Sequence, residues 1–194
     1  MDTLELARAG AAAARALLAL GPGIKDGALA LAAARLREGS GRVFAADEAD
    51  LAAARAAGLA PPLLKRLTYD EGKLAESLAM LAALAALPEP SGRILEARRL
   101  DAGLELRRVS CPIGLVALVF ESRPDALVQM AGLAIKSGNA IVAKGGREAE
   151  RTNRELAALL AAAGAEAGLP AGWLSCLETR EEVAELLELD RYVD

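Results

Sequence analysis

The feature that most constrains the fold is the run of residues 109–153, in which two apolar segments flank one helical segment. Residues 113–120 and residues 140–143 are apolar throughout rather than alternating with polar side chains. Such segments are typical of parallel strands that are covered on both faces. Residues 125–136 between them have a proline at their start and Ser-Gly-Asn after their end, as a helix does. The run therefore predicts a strand, helix and strand of one parallel sheet.

A polar cluster follows each of the two predicted strands. The first, Glu-Ser-Arg-Pro-Asp at residues 121–125, is called the ESRPD corner below, and the second, Lys-Gly-Gly-Arg-Glu at residues 144–148, the KGGRE turn. Ligands of open parallel sheets bind beyond the carboxyl ends of the strands, and both clusters are predicted to lie there. Taken alone, Lys-Gly-Gly is equally compatible with an ordinary strand-to-helix turn.

The helical part of the chain precedes this unit. Its apolar positions recur near the 3.6-residue period of a helix. The predicted helices cover residues 2–20, 25–37, 46–57, a short turn at 63–67, and 70–87. Thr68 stands where it can cap the last of these, with Glu71 at capping-box spacing. We interpret the block as a layer for packing and oligomerisation that carries no chemistry.

Two further segments complete the prediction of secondary structure. Residues 93–100 and 104–109 change to a period near two around Asp-Ala-Gly, which predicts a β-hairpin, and an isolated hairpin needs partners for stability. After the KGGRE turn the sequence predicts a helix at 148–163, a third parallel strand at 173–177, a helix at 181–189 and the start of a fourth strand at 191–194.

Composition excludes several kinds of chemistry. The chain has no histidine, so histidine-based triads are excluded, and its two cysteines, Cys111 and Cys176, stand too far apart in sequence to suggest a metal site. Because free cysteine is among the most buried residue types, both are predicted to be small buried side chains. A net charge of −4 argues against nucleic acid as a partner. The chain has no apolar run of about twenty residues, so no membrane span is predicted. The N-terminus lacks signal-peptide features, and a cytoplasmic protein is therefore expected.

The residues of the central run carry a family resemblance. The segment PIGLVALVFESRPDALVQMAGLAIKSGNAIVAKGGREA, with GRILEARRLDAGLELRRVSC before it, resembles the γ-glutamyl phosphate reductases of the aldehyde dehydrogenase superfamily. The resemblance extends over the whole chain. It implies an α/β fold with an N-terminal helical region at residues 1–90, a hairpin of an oligomerisation sheet at 91–110, and a partial Rossmann-like nucleotide-binding domain at 111–194. Since chains of this family are about twice as long, this one is expected to be an N-terminal part without the catalytic domain.

The resemblance also implies an activity. Enzymes of this family reduce L-glutamate 5-phosphate to L-glutamate 5-semialdehyde in proline biosynthesis, through a thioester on a cysteine. That nucleophile is expected beyond Asp194, so the chain is expected to contain no catalytic residue and to be inactive by itself. A homo-oligomer is expected at full length. The alternatives are a short, catalytically inactive nucleotide-binding module and a helical oligomerisation module.

The KGGRE turn is where the resemblance places the cofactor. Relatives in the superfamily use a lysine at the position of Lys144 to contact the adenosine ribose, and members that prefer NAD have a glutamate three residues later. Here that position is Arg147, and a guanidinium pairs well with a phosphate, so NADP(H) is the expected cofactor. Gly145 and Gly146 lack a Cβ atom, which would allow a nucleotide to approach the backbone closely.

The ESRPD corner is where the resemblance places the substrate, with Ser122, Arg123 and Asp125 nearest to it. Superfamily members have an asparagine near this corner whose amide donates to the oxyanion. An ionised Asp125 accepts hydrogen bonds only and does not repeat that role. Arg123 is suited either to the carboxylate or acyl phosphate of a substrate, or to an ion pair with Glu121 or Asp125 that holds the turn.

Overall fold

The computed structural model describes residues 2–194, which form eight α-helices, one short 3₁₀ helix and five strands. The helices that precede the sheet are α1 Thr3–Leu17, α2 Pro22–Glu38, α3 Ser40–Ala56, α4 Pro61–Leu67 and α5 Glu71–Ala86. The hairpin strands are β1 Ile94–Asp101 and β2 Leu104–Val109. The remaining elements are β3 Leu115–Val119, α6 Pro124–Ser137, β4 Ala140–Lys144, the 3₁₀ helix Arg147–Ala149, α7 Glu150–Ala167, β5 Leu174–Cys176 and α8 Arg180–Leu187.

The sheet formed by β3, β4 and β5 is parallel, in that order. Leu115 lies opposite Ala140 in the first pair of strands, and Ile141 lies opposite Leu174 in the second. Every residue of the central strand β4 is buried, as its continuous apolar sequence predicts. The predicted strand, helix and strand are confirmed, and the fold is mixed α/β.

Helices cover both faces of this sheet. Helices α6 and α7 make the two crossovers between parallel strands and pack against each other, while α1 packs with α8 and contacts all three strands. Since parallel crossovers are right-handed, α6 and α7 lie on the same face. Helices α2 and α5 extend the layer of α6 and α7 outward, and α3 packs on α7. One apolar core therefore runs from the helical block into the sheet.

Two details of the helical block differ from the sequence prediction. Helix α3 begins at Ser40, not at residue 46, because Gly39 both ends α2 and begins α3. A Cβ atom at Gly39 would lie 2.6 Å from the side chain of Leu159, so close packing of the two helices on α7 accounts for this glycine. The predicted cap of α5 is also wrong. Asp70, not Thr68, accepts the first-turn N–H of that helix.

The hairpin is antiparallel, with Gly103 at a φ of 79° in its turn. Every residue of β1 and β2 is exposed. Side-chain hydrogen bonds hold only its base: the Ser110 hydroxyl donates to the Pro90 carbonyl at 2.6 Å, and the Ser91 hydroxyl donates to the Ser137 carbonyl at 3.2 Å. The hairpin is thus anchored at one end and otherwise projects from the α/β unit.

The predicted fourth strand is absent, since residues 191–194 form a turn and an irregular segment. Asp194 nevertheless lies beside the free edge of β3, where its N–H donates to the Leu115 carbonyl at 3.0 Å and its carboxylate accepts from the Leu115 N–H at 3.1 Å. The chain therefore occupies both sides of β3. None of the helices within residues 2–194 is long and apolar enough to cross a membrane.

Candidate functional site

The ESRPD corner follows β3 at the carboxyl edge of the sheet. Pro124 begins α6, which forces the chain to turn within the few residues after Val119. Ser122 has a φ of 42°, and among the described residues it is the only one other than glycine with a positive φ. Its surface is only 6% exposed. A residue with a Cβ atom keeps such a conformation only where its surroundings favour it.

Glu148 provides those surroundings from the KGGRE turn. Its Oε1 accepts the Ser122 N–H at 2.8 Å and the Ser122 hydroxyl at 2.6 Å. Partial burial opposes ionisation of Glu148, but these hydrogen bonds and the nearby charge of Lys144 outweigh it and lower the pKa of the carboxyl. The structure thus brings the two polar clusters together through a residue to which the sequence analysis assigned no role.

Arg123 and Asp125 pair with each other. The Arg123 guanidinium lies 3.0 Å from the Asp125 carboxylate, and the Lys73 ammonium from α5 lies 3.9 Å from it. Of the alternatives for Arg123 left open by the sequence, this structure contains the ion pair with Asp125. The side chain of Arg123 remains about half exposed, so the pair leaves it accessible from solvent.

The two glycines of the KGGRE turn lie against side chains of the protein itself. A Cβ atom at Gly145 would lie 2.2 Å from the amide nitrogen of Asn153, and one at Gly146 would lie 2.1 Å from Oε1 of Glu148. Close contact with a ligand is therefore not needed to explain why glycine occupies these positions. The adjoining Lys144 ends β4 and is 9% exposed.

Beyond the strand ends lies a cavity of about 120 Å³. Its wall combines residues that follow all three parallel strands with residues of α6 and α7. The lining comprises Phe120, Leu127, Ala143, Gly145, Gly146, Arg147, Glu150, Asn153, Arg154, Ala157, Cys176, Leu177 and Glu178. This is the edge at which open parallel sheets bind their ligands.

Two polar groups of this wall are available to a ligand. Arg147 begins the 3₁₀ helix and is exposed, and its side chain forms no hydrogen bond or ion pair with any residue between 2 and 194. The side-chain oxygen of Asn153 is buried and has no hydrogen-bond partner in that same part of the chain. Because an unpartnered buried oxygen is costly, a donor from a ligand would stabilise it. Sequence reasoning missed Asn153, which no motif distinguishes.

Both cysteines are exposed, so the prediction that they are buried is wrong. Cys111 lies in the irregular segment before β3, and Cys176 ends the edge strand β5 at the wall of the cavity. Although Cys176 keeps part of its surface open to solvent, the protein atoms packed around its thiol desolvate it and raise its pKa to about 11. A thiol with this pKa is almost fully protonated at neutral pH and is a weak nucleophile.

The raised pKa predicts slow alkylation of Cys176. In a Cys111→Ser variant, the rate of modification by iodoacetamide should rise about tenfold per pH unit between pH 8 and pH 10, because only the thiolate reacts. Mass spectrometry of the modified chain measures this rate, with Cys176→Ser as the control for modification elsewhere. A rate that levels off below pH 9 would contradict the desolvated environment.

The fold around this cavity is of the aldehyde dehydrogenase type. An acetylating aldehyde dehydrogenase from Geobacillus thermoglucosidasius matches 99% of the chain with 40% of its own length, at a TM-score of 0.68 and 19% identity, which establishes the fold alone. No protein-family model matches the chain.

Sequence similarity points to one particular group of enzymes with this fold. A γ-glutamyl phosphate reductase from Pelotomaculum thermopropionicum is 46% identical over all 194 residues, which cover 45% of that protein. The crystal structure of γ-glutamyl phosphate reductase from Thermotoga maritima matches the whole chain and 47% of its own at a TM-score of 0.95 and 28% identity. The predicted resemblance is thus confirmed: along its whole length the chain is similar to the N-terminal part of γ-glutamyl phosphate reductases. It spans about half the length of the curated relatives that it matches.

Proposed function

We propose that this chain is the N-terminal part of an NADPH-dependent reductase that converts L-glutamate 5-phosphate to L-glutamate 5-semialdehyde in proline biosynthesis. The observation that carries the proposal is the 46% identity to a γ-glutamyl phosphate reductase, which extends over all 194 residues of the chain. The cavity beyond three strand ends gives the proposal a site. The cytoplasm is the compartment that this role implies.

The choice of NADP(H) rests on Arg147. A guanidinium without a partner at the rim of the cavity fits the extra phosphate of NADPH, with which it forms charge-assisted hydrogen bonds. Lys144, Gly145 and Gly146 complete the proposed cofactor-binding turn, and the buried oxygen of Asn153 fits a donor on the nucleotide. When bound, the cofactor supplies the hydride for the reduction.

The ESRPD corner is the proposed contact with glutamate 5-phosphate. Ser122, Arg123 and Asp125 follow the carboxyl end of β3, beside the turn that follows β4. Arg123 is the cation available to an acyl phosphate, after exchange of its ion pair with Asp125. Asp125, as an acceptor, serves to orient Arg123 and not to bind an oxyanion.

The hairpin supports an oligomeric full-length enzyme. Six large apolar side chains of β1 and β2 are about half exposed: Ile94, Leu95, Leu100, Leu104, Leu106 and Val109. Two strands with such surfaces are marginal without further partners. We propose that this hairpin joins a sheet shared between subunits.

The nucleophile of the proposed reaction lies outside this chain. A thioester intermediate requires a reactive thiolate, and Cys176 is a weak one because its pKa is raised to about 11. The test is the encoded length together with an assay. The full-length gene product should continue into a glycine-rich turn and a cysteine-bearing segment, and it should reduce NADP⁺ with glutamate semialdehyde and phosphate.

The isolated 194-residue chain is expected to be inactive in that assay, because in this direction the hydride leaves the hemithioacetal that the aldehyde forms with the nucleophilic cysteine. NADPH formation at 340 nm measures it, with the full-length protein as the positive control. Turnover by the isolated chain that disappears on Cys111→Ala or Cys176→Ala would show that one of these thiols is the nucleophile and would contradict the proposal.

A nucleotide-binding module without catalytic activity is the second candidate. The cavity and the free Arg147 support it independently of any catalytic cysteine. The two candidates differ in the full-length product: a reading frame that ends near Asp194, together with NADPH binding to the isolated chain, would favour the module.

A further inference from the structure

We propose that Glu148 is a positioning residue, which holds the ESRPD corner in its working conformation by fixing the backbone of Ser122. This role rests on the proposed function, since the corner is the proposed contact with glutamate 5-phosphate. Glu148 itself accepts hydrogen bonds and takes no part in bond making or breaking.

The conformation of Ser122 is the first observation. Its φ of 42° is unfavourable for a residue with a Cβ atom, and no other described residue besides glycine adopts a positive φ. One oxygen of Glu148 binds both the N–H and the hydroxyl of Ser122, at 2.8 Å and 2.6 Å. Hydrogen bonds to a charged acceptor are the strong ones, and here they offset the unfavourable backbone conformation.

The second observation is the absence of a side chain at Gly146, next to the Glu148 carboxylate. This carboxylate occupies the space in which a Cβ atom of residue 146 would lie, 2.1 Å from Oε1. A side chain larger than glycine at that position would displace the carboxylate from Ser122. Glu148 lies in the 3₁₀ helix Arg147–Ala149, which directly follows Gly146. Its side chain therefore connects the turn after β4 with the corner after β3.

The place of the contact in the sheet is the third observation. Ser122 follows β3 and Glu148 follows β4, so their contact lies at the carboxyl ends of two neighbouring parallel strands. Open parallel sheets bind ligands beyond the carboxyl ends of their strands. Ser122 immediately precedes Arg123, so the backbone at Ser122 determines where the Arg123 and Asp125 pair stands at that point.

A glycine substitution separates positioning from direct contact. In the full-length protein, Glu148→Ala should lower kcat/KM for glutamate 5-phosphate roughly ten- to hundredfold, the range expected for the loss of hydrogen bonds to a charged group. Glycine adopts positive φ without cost, so in a Ser122→Gly background the same change should lower kcat/KM by no more than about threefold. Glu148→Gln keeps one acceptor, so its kcat/KM should lie between the values of the wild type and of Glu148→Ala. Glu166→Gln, on the exposed end of α7, is the matched control.

The outcomes distinguish this proposal from its alternatives. Equal losses in the wild-type and Ser122→Gly backgrounds would show that Glu148 acts directly on a ligand, and no loss in either would show that it has no role; both overturn the proposal. Circular dichroism verifies that each variant is folded.

A second measurement stays informative if the full-length protein is not a reductase. In the isolated chain, Glu148→Ala should lower Tm by about 4 to 8 °C, and by at most half as much in the Ser122→Gly background. Absence of wild-type activity with this thermal coupling present would reject the proposed function and retain the role of Glu148 at the corner. Absence of the coupling would overturn that role.

Discussion

Replacing Asp50 by alanine is expected to lower the Tm of the chain by about 6 to 12 °C. Asp50, on α3, is 2% exposed and accepts both the N–H and the hydroxyl of Thr152 at 2.9 Å in the first turn of α7. No side chain of α7 itself caps this helix. The change leaves two buried donors without a partner, which costs about 3 kcal/mol in the free energy of unfolding, and each kcal/mol shifts Tm by about 2–4 °C at this chain length.

Thermal denaturation followed by circular dichroism measures this effect. Asp190→Ala removes the same charge from an exposed position without hydrogen bonds among the described residues and should shift Tm by less than about 2 °C. Asp50→Asn retains an acceptor and should fall between the two. A similar Tm for Asp50→Ala and Asp190→Ala would show that α7 does not depend on the cap from α3.

Replacing Arg147 by glutamate in the full-length enzyme is expected to lower kcat/KM for NADPH roughly ten- to hundredfold. A hydrogen bond between charged groups is worth about 1.5–3 kcal/mol, and the new carboxylate adds repulsion of the phosphate. NADH lacks that phosphate and should lose much less. Stability should change little, because Arg147 is exposed and a carboxylate suits the first turn of a helix.

Steady-state kinetics with both cofactors measure this preference. Arg37→Glu makes the same reversal of charge at an exposed position on α2 and is the control for long-range electrostatics. Equal losses with NADPH and NADH would show that Arg147 supports the turn and does not read the phosphate. Lys144, or a residue outside this chain, would then determine cofactor choice.

The local sequence pattern was sufficient to predict the parallel sheet, because the strands of a sheet covered on both faces are apolar without interruption. It was insufficient at Gly39, because the two glycines around Ser40 predict an irregular segment between α2 and α3. The helix instead starts at once, since packing of α3 on α7 outweighs the low helix propensity of these residues. The absence of a strand at residues 191–194 likewise could not be deduced from their composition.

The site shows the same division between local and long-range information. The strand ends locate the ESRPD corner and the KGGRE turn at one edge, but the contact between Ser122 and Glu148 spans 26 positions and has no local signature. The exposure of Cys176 depends on β5 being an edge strand, which its apolar sequence does not reveal. Nor does the sequence around Asn153 indicate that its oxygen is buried without a partner.

The paired glycines of the KGGRE turn have an evolutionary consequence. Any other residue at Gly145 must displace Asn153, and any other residue at Gly146 must displace Glu148. The side chain of Arg147, by contrast, is exposed and bonded to no described residue, so it can be exchanged without disturbing a neighbour. A change of this turn towards a different ligand charge is therefore expected at Arg147 first, since a substitution at either glycine would also move a side chain of the site.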